Sequence, residues 1–326
     1  MVVAALTFLS PAHALAQSVD FSALSSLGQG GLSMTVSPQY PAPGTNVSFT
    51  LQDYQDDLNV ATIVWTVNGT RQASGVGQAS FQMTTGTTGS HSTVTATVTT
   101  TKGAVITQSA TIVPAGVDLL WQAHSYVPPF YLGKALFPFQ GTITVTAMPT
   151  FALTNPKNAV YTWQLDGGAM PDVSGSGKNT ITLTGSILLK PINLSVTARS
   201  ADGSLTAQNS ITLTGTNPNV ILYQESPLYG TLLNKALGSA LSLAGQTGFN
   251  ATPYFFDSTS PYTNTATFQW SINSTSVTSQ TGQVLVVAPP ANQSGTSSVA
   301  VTATNSAKPF QTGNVGVSVG FTAVSQ

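Results

Sequence analysis

The 326-residue sequence predicts an all-β protein made of three tandem β-sandwich domains, and a long internal repeat is the main reason. A five-residue phrase centred on tryptophan occurs at 64–68, 162–166 and 269–273, with its tryptophans 98 and 107 residues apart. That spacing exceeds the roughly 20 to 50 residues of a solenoid repeat. It matches a whole immunoglobulin-like sandwich of about 100 residues, which carries a core tryptophan on its third strand.

A second repeated strand follows each tryptophan phrase and keeps the three copies in register. Its first apolar residue lies 29, 31 and 29 residues after the respective tryptophans, and small apolar residues alternate in it with Ser and Thr. Such alternation is typical of a half-buried strand. We therefore expect three immunoglobulin-like domains in a rod-like array at 33–116, 117–217 and 218–326, with Trp65, Trp163 and Trp270 as core residues.

Turn residues support this division into strands. The first two tryptophan strands run into Asn68-Gly69 and Asp166-Gly167. Both dipeptides predict type I′ hairpins, because both central residues of that turn need positive φ. The third strand runs into Asn273-Ser274, which lacks glycine and is a weaker hairpin signal.

The junctions between copies repeat as well. The run 118–122 matches 220–224, and Lys134-Ala135-Leu136 matches Lys235-Ala236-Leu237 about a dozen residues later. No Gly/Ser tether separates the copies, so we expect stiff stacking of one domain on the next.

The first sixteen residues are typical of an export signal. An apolar run from Val2 to Leu9 precedes the A-x-A cleavage pattern Ala14-Leu15-Ala16. Residues 17–32 are small and polar and predict a linker. No later stretch reaches the roughly 18 apolar residues of a spanning helix. We expect an extracellular or cell-surface location after cleavage of the signal peptide.

Composition excludes several classes of function. Charged residues make up 6% of the chain, whereas ordinary domains have about 25%. A net charge of −1 gives no electrostatic footprint for nucleic acid. Cysteine is absent, so the cores must hold by packing alone. Roughly a quarter of the residues are Ser or Thr, and these replace charge on the predicted surface.

Several segments resemble the exported immunoglobulin-like proteins of ultra-small candidate-phyla bacteria. The resemblance covers most of residues 33–320 and is carried by 37–41, 117–121, 126–136 and 227–237, of which 126–136 is the most specific. The copies are more distantly similar to PKD and bacterial Ig-like modules of surface proteins. The resemblance implies an extracellular or cell-surface protein and carries no activity to transfer.

No catalytic constellation stands out, and we predict a non-enzyme without a cofactor. The predicted mature chain has two histidines, His91 and His124, and neither lies near a recognisable nucleophile motif. Asp53, Asp56 and Asp57 form an acidic cluster that could start a calcium site. A solvated loop is the favoured interpretation, because no glycine-centred calcium loop accompanies them.

Aromatic residues near the junctions are the best candidates for contact with a ligand or partner. Flat rings can carry sugars or a partner's apolar surface, although packing at the domain junctions is the favoured interpretation. The candidates are Trp121, Tyr126, Phe130, Tyr131, Tyr223 and Tyr229.

The sequence as a whole predicts a structural or adhesive protein of the cell surface, with protein partners or self-association. Sheet edges usually carry charge that opposes strand pairing between chains, and here Thr, Ser, Asn and Gln replace it. The alternative is a carbohydrate-binding module that uses the junction aromatics.

Overall fold

The computed structural model describes residues 31–187, 190–260 and 262–322. The predicted signal peptide and most of the predicted linker lie outside this range. The described residues form an all-β fold of six sheets, which confirms the predicted fold class. The chain divides into two compact units, one ending at residue 112 and one that runs from 113 onward, with residues 87–89 belonging to the second.

The first unit is a seven-stranded sandwich. One sheet has the order β1-β2-β5 and the other β4-β3-β6-β7. Trp65 packs between them with Phe49 and Phe81, and its ring centroid lies 5.4 Å from that of Phe81. The strands are β1 (Leu32–Ser37), β2 (Asn46–Asp53), β3 (Thr62–Val67), β4 (Thr70–Val76), β5 (Ser80–Thr84), β6 (Ser92–Thr99) and β7 (Val105–Ile112).

The second unit begins with a sandwich that surrounds Trp163. Its sheets have the orders β13-β9-β8 and β11-β10-β14-β15, and β12 also pairs with β10. Short 3-10 helices lie at Pro156–Asn158 and Pro171–Val173. The strands are β8 (Val117–His124), β9 (Thr142–Pro149), β10 (Val160–Leu165), β11 (Gly168–Ala169), β12 (Gly175–Ser176), β13 (Thr180–Thr184), β14 (Ile192–Arg199) and β15 (Thr206–Leu213).

The same unit continues with a third core around Trp270. Its sheets have the orders β17-β16-β19-β22 and β18-β24-β23-β20-β21, and β18 runs parallel to β24. The strands are β16 (Asn219–Ser226), β17 (Gly230–Ala236), β18 (Ala240–Leu243), β19 (Thr247–Tyr254), β20 (Ala266–Ile272), β21 (Thr275–Val277), β22 (Val284–Val287), β23 (Gly295–Asn305) and β24 (Lys308–Phe321).

The three cores are separate hydrophobic clusters, one around each tryptophan. Each tryptophan is fully buried, and its indole Nε1 donates a 2.9 Å hydrogen bond to a backbone carbonyl. A buried indole N–H left without an acceptor would destabilise the fold. The hydrogen bond therefore fixes the orientation of the indole ring as well as its position in the core. The acceptors are the carbonyls of Gln78, Lys178 and Gly282.

Each tryptophan phrase also ends in a two-bond clip. The residue three positions after the tryptophan has φ near +49°, which suits Asn and Asp better than most residues. In the third core, Asn273 donates its N–H to the carbonyl of Ser298 at 2.8 Å, and its Oδ1 accepts the N–H of Ser298 at 2.8 Å. Asn68 and Asp166 make the same pair of bonds in the other two cores. The weaker turn Asn273-Ser274 therefore still closes a hairpin, with both residues at positive φ.

Hydroxyl groups pair across strands on the solvent faces of the sheets. Thr95 and Ser109 lie 2.8 Å apart between their side-chain oxygens, and Thr146 and Thr180 lie 3.1 Å apart. Direct cross-strand pairs of this kind stabilise a sheet by roughly 0.2 to 1 kcal/mol each. They take the place of the surface ion pairs that a chain with so few charged residues cannot form.

Candidate functional site

Within the second unit, the second and third cores meet along a continuous contact that we call the seam. One side is the segment 125–142, which follows β8 and reaches the start of β9. The other side consists of residues 254–260, from the end of β19 onward, residues 305–311, at the turn from β23 to β24, and Tyr223 on β16. The seam is the part of the second unit in which most of the predicted binding residues come together.

Backbone hydrogen bonds join the two sides directly. Tyr126 donates its N–H to the carbonyl of Phe256 at 2.8 Å, and Phe255 donates its N–H to the carbonyl of Tyr126 at 2.8 Å. Ser258 likewise donates to the carbonyl of His124 at 3.1 Å. Phe256 and Tyr126 are buried, so these bonds are shielded from water. The segment therefore behaves as a short extra strand held by the third core.

Asp257 is the centre of the polar part of the seam. Its Oδ1 accepts the backbone N–H of Thr142 at 2.7 Å, and its Oδ2 lies 2.5 Å from the Nζ of Lys308. Lys308 also donates to the carbonyl of Gln140 at 2.6 Å. The Asp257 and Lys308 side chains are only 14% and 23% exposed, so solvent screens this ion pair much less than a surface pair. One ion pair of the third core thus holds two backbone groups of the second.

Two buried amides complete this polar cluster. Gln311, fully buried, donates through Nε2 to the carbonyl of Phe139 at 2.8 Å and accepts the N–H of Asp257 through Oε1 at 2.9 Å. Asn305, also buried, donates to the same Gln311 oxygen at 2.9 Å and to the Asp257 carbonyl at 3.0 Å. Buried polar groups whose partners are in place favour a single arrangement, although the Oε1 of Gln140 in the same seam is buried without a partner.

Aromatic rings form the second part of the seam. Phe130 meets Tyr223 edge to face at 5.8 Å between centroids. Tyr131 meets Tyr254 at 5.8 Å and Phe255 at 5.7 Å in the same manner. Edge-to-face pairs of this kind contribute about 0.5 to 1.5 kcal/mol beyond the area that they bury. Four of the six predicted contact residues, Tyr126, Phe130, Tyr131 and Tyr223, therefore pack between the two cores.

The remaining two candidates, Trp121 and Tyr229, take no part in these ring contacts. Trp121 is half-buried, and the Nζ of Lys134 lies 3.2 Å from the centroid of its ring. That ammonium covers one face of the indole, where a sugar would otherwise stack. Tyr229 lies at the turn between β16 and β17 and is 78% exposed.

Burial in the seam changes the acidity of its tyrosines. The pKa of Tyr254 is raised above its usual range, chiefly by burial and further by the hydrogen bond with Tyr223, whose hydroxyl oxygen lies 3.1 Å away. Burial also raises the pKa of Tyr126. Both phenols therefore stay neutral at any physiological pH, and the seam holds a neutral aromatic cluster beside one ion pair.

The calcium site considered for Asp53, Asp56 and Asp57 is not formed by this arrangement. Among the described residues, no three acidic, His or Cys side chains lie close enough to hold a metal ion. Asp53 Oδ1 instead accepts the N–H of Gln55 at 2.8 Å, although its Oδ2 is buried without a partner. Asp57 accepts from its own loop, and Asp56 pairs with a lysine of the neighbouring turn.

The histidines offer no catalytic dyad in the described structure. His124 Nε2 lies 2.8 Å from the hydroxyl oxygen of Thr144 on the neighbouring strand β9, and His91 is exposed between β5 and β6. Neither arrangement has the base-and-orienting-acid geometry that activates a hydroxyl nucleophile.

Sequence reasoning missed Asp257, Lys308, Gln311 and Asn305, which hold the polar half of the seam. A signal for Asp257 is present in the repeat. An aromatic residue, one further residue and an aspartate follow β2 in the first copy and β19 in the third, as Tyr54-Gln55-Asp56 and Phe255-Phe256-Asp257. The buried amides carry no such signal, because Gln and Asn are common throughout this chain.

Comparisons with known proteins return likenesses of fold alone. No protein-family model matches the chain, and no curated protein matches it. The three N-terminal domains of the bacteriophage RB49 Highly Immunogenic Outer Capsid protein align with 90% of this chain and 99% of their own, at 10% identity and a TM-score of 0.26. The central fibronectin-III array of RIM-binding protein aligns with 87% and 95%, at 12% identity and a TM-score of 0.30.

A third solved structure, Bacteroides ovatus SGBP-B in complex with a mixed-linkage heptasaccharide, aligns with 89% of this chain and 70% of its own length, at 14% identity and a TM-score of 0.21. Of these three, the RB49 structure is described as three domains and the RIM-binding protein structure as a fibronectin-III array. Within the described residues, no helix has the length and apolar character needed to cross a bilayer. Scores this low leave the function to be argued from the residues of the chain itself.

Proposed function

We propose that this protein is a non-enzymatic, exported structural or adhesive protein of the cell surface that acts by associating with other protein chains. The observation that carries the proposal is the combination of a locked seam with sheet edges and faces that have almost no charge. The resemblance of residues 33–320 to exported immunoglobulin-like proteins, and the A-x-A pattern at 14–16, support export.

The seam supports a mechanical role for the second unit. Domains that work by binding a small ligand between them usually keep a mobile interface, since interdomain motion is the default for small polar contacts. Here the interface carries backbone bonds, a shielded ion pair and ring contacts at once. Such a contact resists bending, which is useful to a protein that spans or spaces a surface.

The sheet edges support association with other chains. β5 and β13 are end strands of their sheets, and neither of them carries a charged residue. Exposed edges without charge are templates for pairing with a further strand. The hydroxyl pairs on the sheet faces add no electrostatic repulsion, so like chains can approach each other closely.

The arrangement also argues against a ligand-binding use of the junction aromatics. Four of these aromatic rings already pack between the second and third cores and are therefore not free to contact a ligand. They belong to Tyr126, Phe130, Tyr131 and Tyr223. A glycan array on the purified chain tests this point. Binding that Trp121→Ala and Tyr131→Ala abolish, in variants that keep the wild-type circular dichroism, would favour the carbohydrate-binding alternative instead.

Localisation tests the export part of the proposal. Antibody labelling of intact cells that express the full chain should give surface signal that mild external proteolysis removes. A variant with Ala14→Arg and Ala16→Arg, which blocks the predicted cleavage pattern, should alter processing of the amino terminus. Labelling confined to permeabilised cells would contradict the proposal.

A further inference from the structure

The third core carries a set of three side chains at one end of its sandwich that we call a docking head. Phe255 directly follows β19, Asp257 lies two residues later, and Lys308 lies three residues after the end of β23. Each member contacts the second core: Phe255 packs on Tyr131, Asp257 accepts the N–H of Thr142, and Lys308 donates to the carbonyl of Gln140.

The first core carries the same set at the same end of its own sandwich. Tyr54 directly follows β2, Asp56 lies two residues later, and Lys102 lies three residues after the end of β6. Asp56 Oδ1 and Lys102 Nζ form an ion pair at 3.3 Å, as their counterparts do. Tyr54 is 83% exposed, and the Lys102 side chain is 79% exposed. The first core therefore presents a complete docking head with its aromatic ring in solvent.

The second core lacks this set, so the head is not a general feature of the fold. After β9 the corresponding residues are Thr150 and Ala152, which are neither aromatic nor acidic. The position three residues after β14 is Asp202, where the other two copies have lysine. Its pKa falls to about 2 because Ser200 and Ser204 donate to its carboxylate. The set is therefore shared by the first and third copies and is absent from the second.

An opening that fits the exposed ring exists at the opposite end of the third core. It is an apolar cleft of about 150 Å³ at the ends of β18, β22 and β24, lined by Leu243, Val287, Pro289, Pro290, Val299 and Phe321. A cavity of about this volume with apolar walls can hold a benzene ring. No charged side chain lines the cleft.

In the second core, a side chain of the same core fills the end of the sandwich that corresponds to this cleft. There Phe137, from the segment that connects β8 to β9, is buried against Gly185, the first residue after β13. The same connecting segment then presents the carbonyls of Phe139 and Gln140 to the head of the third core. In the third core no described residue fills the corresponding cleft of about 150 Å³.

We propose that the docking head of the first core, Tyr54 with Asp56 and Lys102, binds the apolar cleft at the end of the third core of a second copy of this chain. The inference rests on the proposed function and names its partner. The two surfaces differ, so the contact is heterologous, and repeated contacts of this kind build an open chain of subunits rather than a closed dimer. A net charge of −1 opposes such growth only weakly.

A mixing experiment tests the assignment by blocking each surface separately. Tyr54→Ala removes the ring of the head, and Pro290→Glu places a charge at the exposed rim of the cleft. In sedimentation velocity of the full chain, we expect wild type to form species larger than a dimer as concentration rises. Each variant alone should associate at least tenfold more weakly. An equimolar mixture should form dimers and stop, because each variant retains one intact surface.

Controls separate the assignment from folding defects and from other occupants. Tyr229→Ala removes an equally exposed ring outside the head and should associate like wild type. Lys102→Glu gives a second head variant whose circular dichroism and melting temperature should stay at wild-type values. Loss of association on Phe21→Ala, together with wild-type association of Tyr54→Ala, would assign the contact to the chain's own first residues and overturn the proposal.

The outcomes also distinguish this inference from the proposed function. If wild type associates and both Tyr54→Ala and Lys102→Glu associate equally well, the head is not the contact, although the protein still acts by association. If the mixture of Tyr54→Ala and Pro290→Glu stays monomeric while wild type associates, the two surfaces are not partners. A wild-type chain that stays monomeric throughout contradicts the proposed function itself.

Discussion

The single residue that ends each tryptophan phrase does more than turn the chain. Asn68, Asp166 and Asn273 each hold a positive φ and clip the start of the neighbouring strand through a side-chain oxygen. The repeated phrase therefore contains a hydrogen-bonding Asn or Asp in addition to its buried tryptophan. Asn and Asp are interchangeable there because both supply the same acceptor oxygen.

Substitutions at Asn273 test the clip. Asn273→Ala should lower the stability of the third core by about 1 to 3 kcal/mol, because the N–H of Ser298 loses its acceptor and alanine disfavours positive φ. Asn273→Asp restores the oxygen that Asp166 provides naturally and should cost little. The stability of Asn273→Gly should lie between those of the Ala and Asp variants. Glycine accepts the positive φ but supplies no acceptor oxygen. Urea unfolding of the three variants measures the order, and equal stabilities would show that the clip contributes nothing.

The buried tyrosines predict a loss of stability at alkaline pH. Burial raises the pKa of Tyr161 to about 12 and raises that of Tyr254 further, whereas a tyrosine in the unfolded chain titrates near 10.0. The folded state therefore keeps protons that the unfolded state releases, so this contribution is complete below pH 10 and declines as pH rises beyond it.

Melting temperatures between pH 8 and pH 11.5 check this expectation. Wild type should lose stability above pH 10, and the double variant Tyr161→Phe with Tyr254→Phe should lose less over the same range. Tyr262→Phe serves as the control, because Tyr262 is 78% exposed and should leave the pH profile unchanged. Parallel profiles for wild type and the double variant would refute the linkage.

At the scale of elements, two of the Asp–Lys pairs among the described residues make a matched comparison. Asp257–Lys308 lies in the seam with both side chains mostly buried, whereas Asp56–Lys102 has an exposed lysine. Removing one partner of a shielded pair leaves the other without compensation, which costs far more than the loss of a surface pair.

Calorimetry of lysine variants tests the seam. Lys308→Ala should destabilise the second unit by about 2 to 4 kcal/mol and split a shared transition of the second and third cores into two. Lys102→Ala should change stability by roughly 0 to 1 kcal/mol. Independent melting of the two cores already in wild type would show that the seam does not couple them.

The side-chain amide of Gln280 covers part of the open side of the edge strand β22, and its removal should promote aggregation. The Oε1 of Gln280 accepts the N–H of Val286 at 2.9 Å, and its Nε2 donates to the carbonyl of Val286 at 3.3 Å. This side chain thus occupies backbone groups on the open side of an apolar strand. Gln280→Ala should expose them and increase irreversible aggregation, followed by thioflavin fluorescence, whereas Gln293→Ala on the following loop should not.

The strands of each copy could be predicted from sequence because their signals are local. Alternation such as Val94, Ala96 and Val98 with intervening threonines fixes which face is buried, and the tryptophan phrase fixes the register between copies. The seam could not be predicted in this way. Its contacts join residues more than a hundred positions apart, such as Thr142 with Asp257, and they depend on how two sandwiches meet.

At the scale of the whole molecule, the low charge has a thermodynamic consequence. Cross-strand hydroxyl pairs and buried amides contribute to stability without depending on ionic strength. The three ion pairs among the described residues include two with exposed lysines, which salt screens readily. We therefore expect the melting temperature to change little between low salt and 1 M NaCl.

Light scattering of the full chain tests the central claim, which is that this neutral surface serves association. The weight-average mass should rise with protein concentration, and 1 M NaCl should leave that rise nearly unchanged, because apolar and hydroxyl contacts carry it. A mass that stays at one chain over a hundredfold range of concentration, at both low and high salt, would contradict the account.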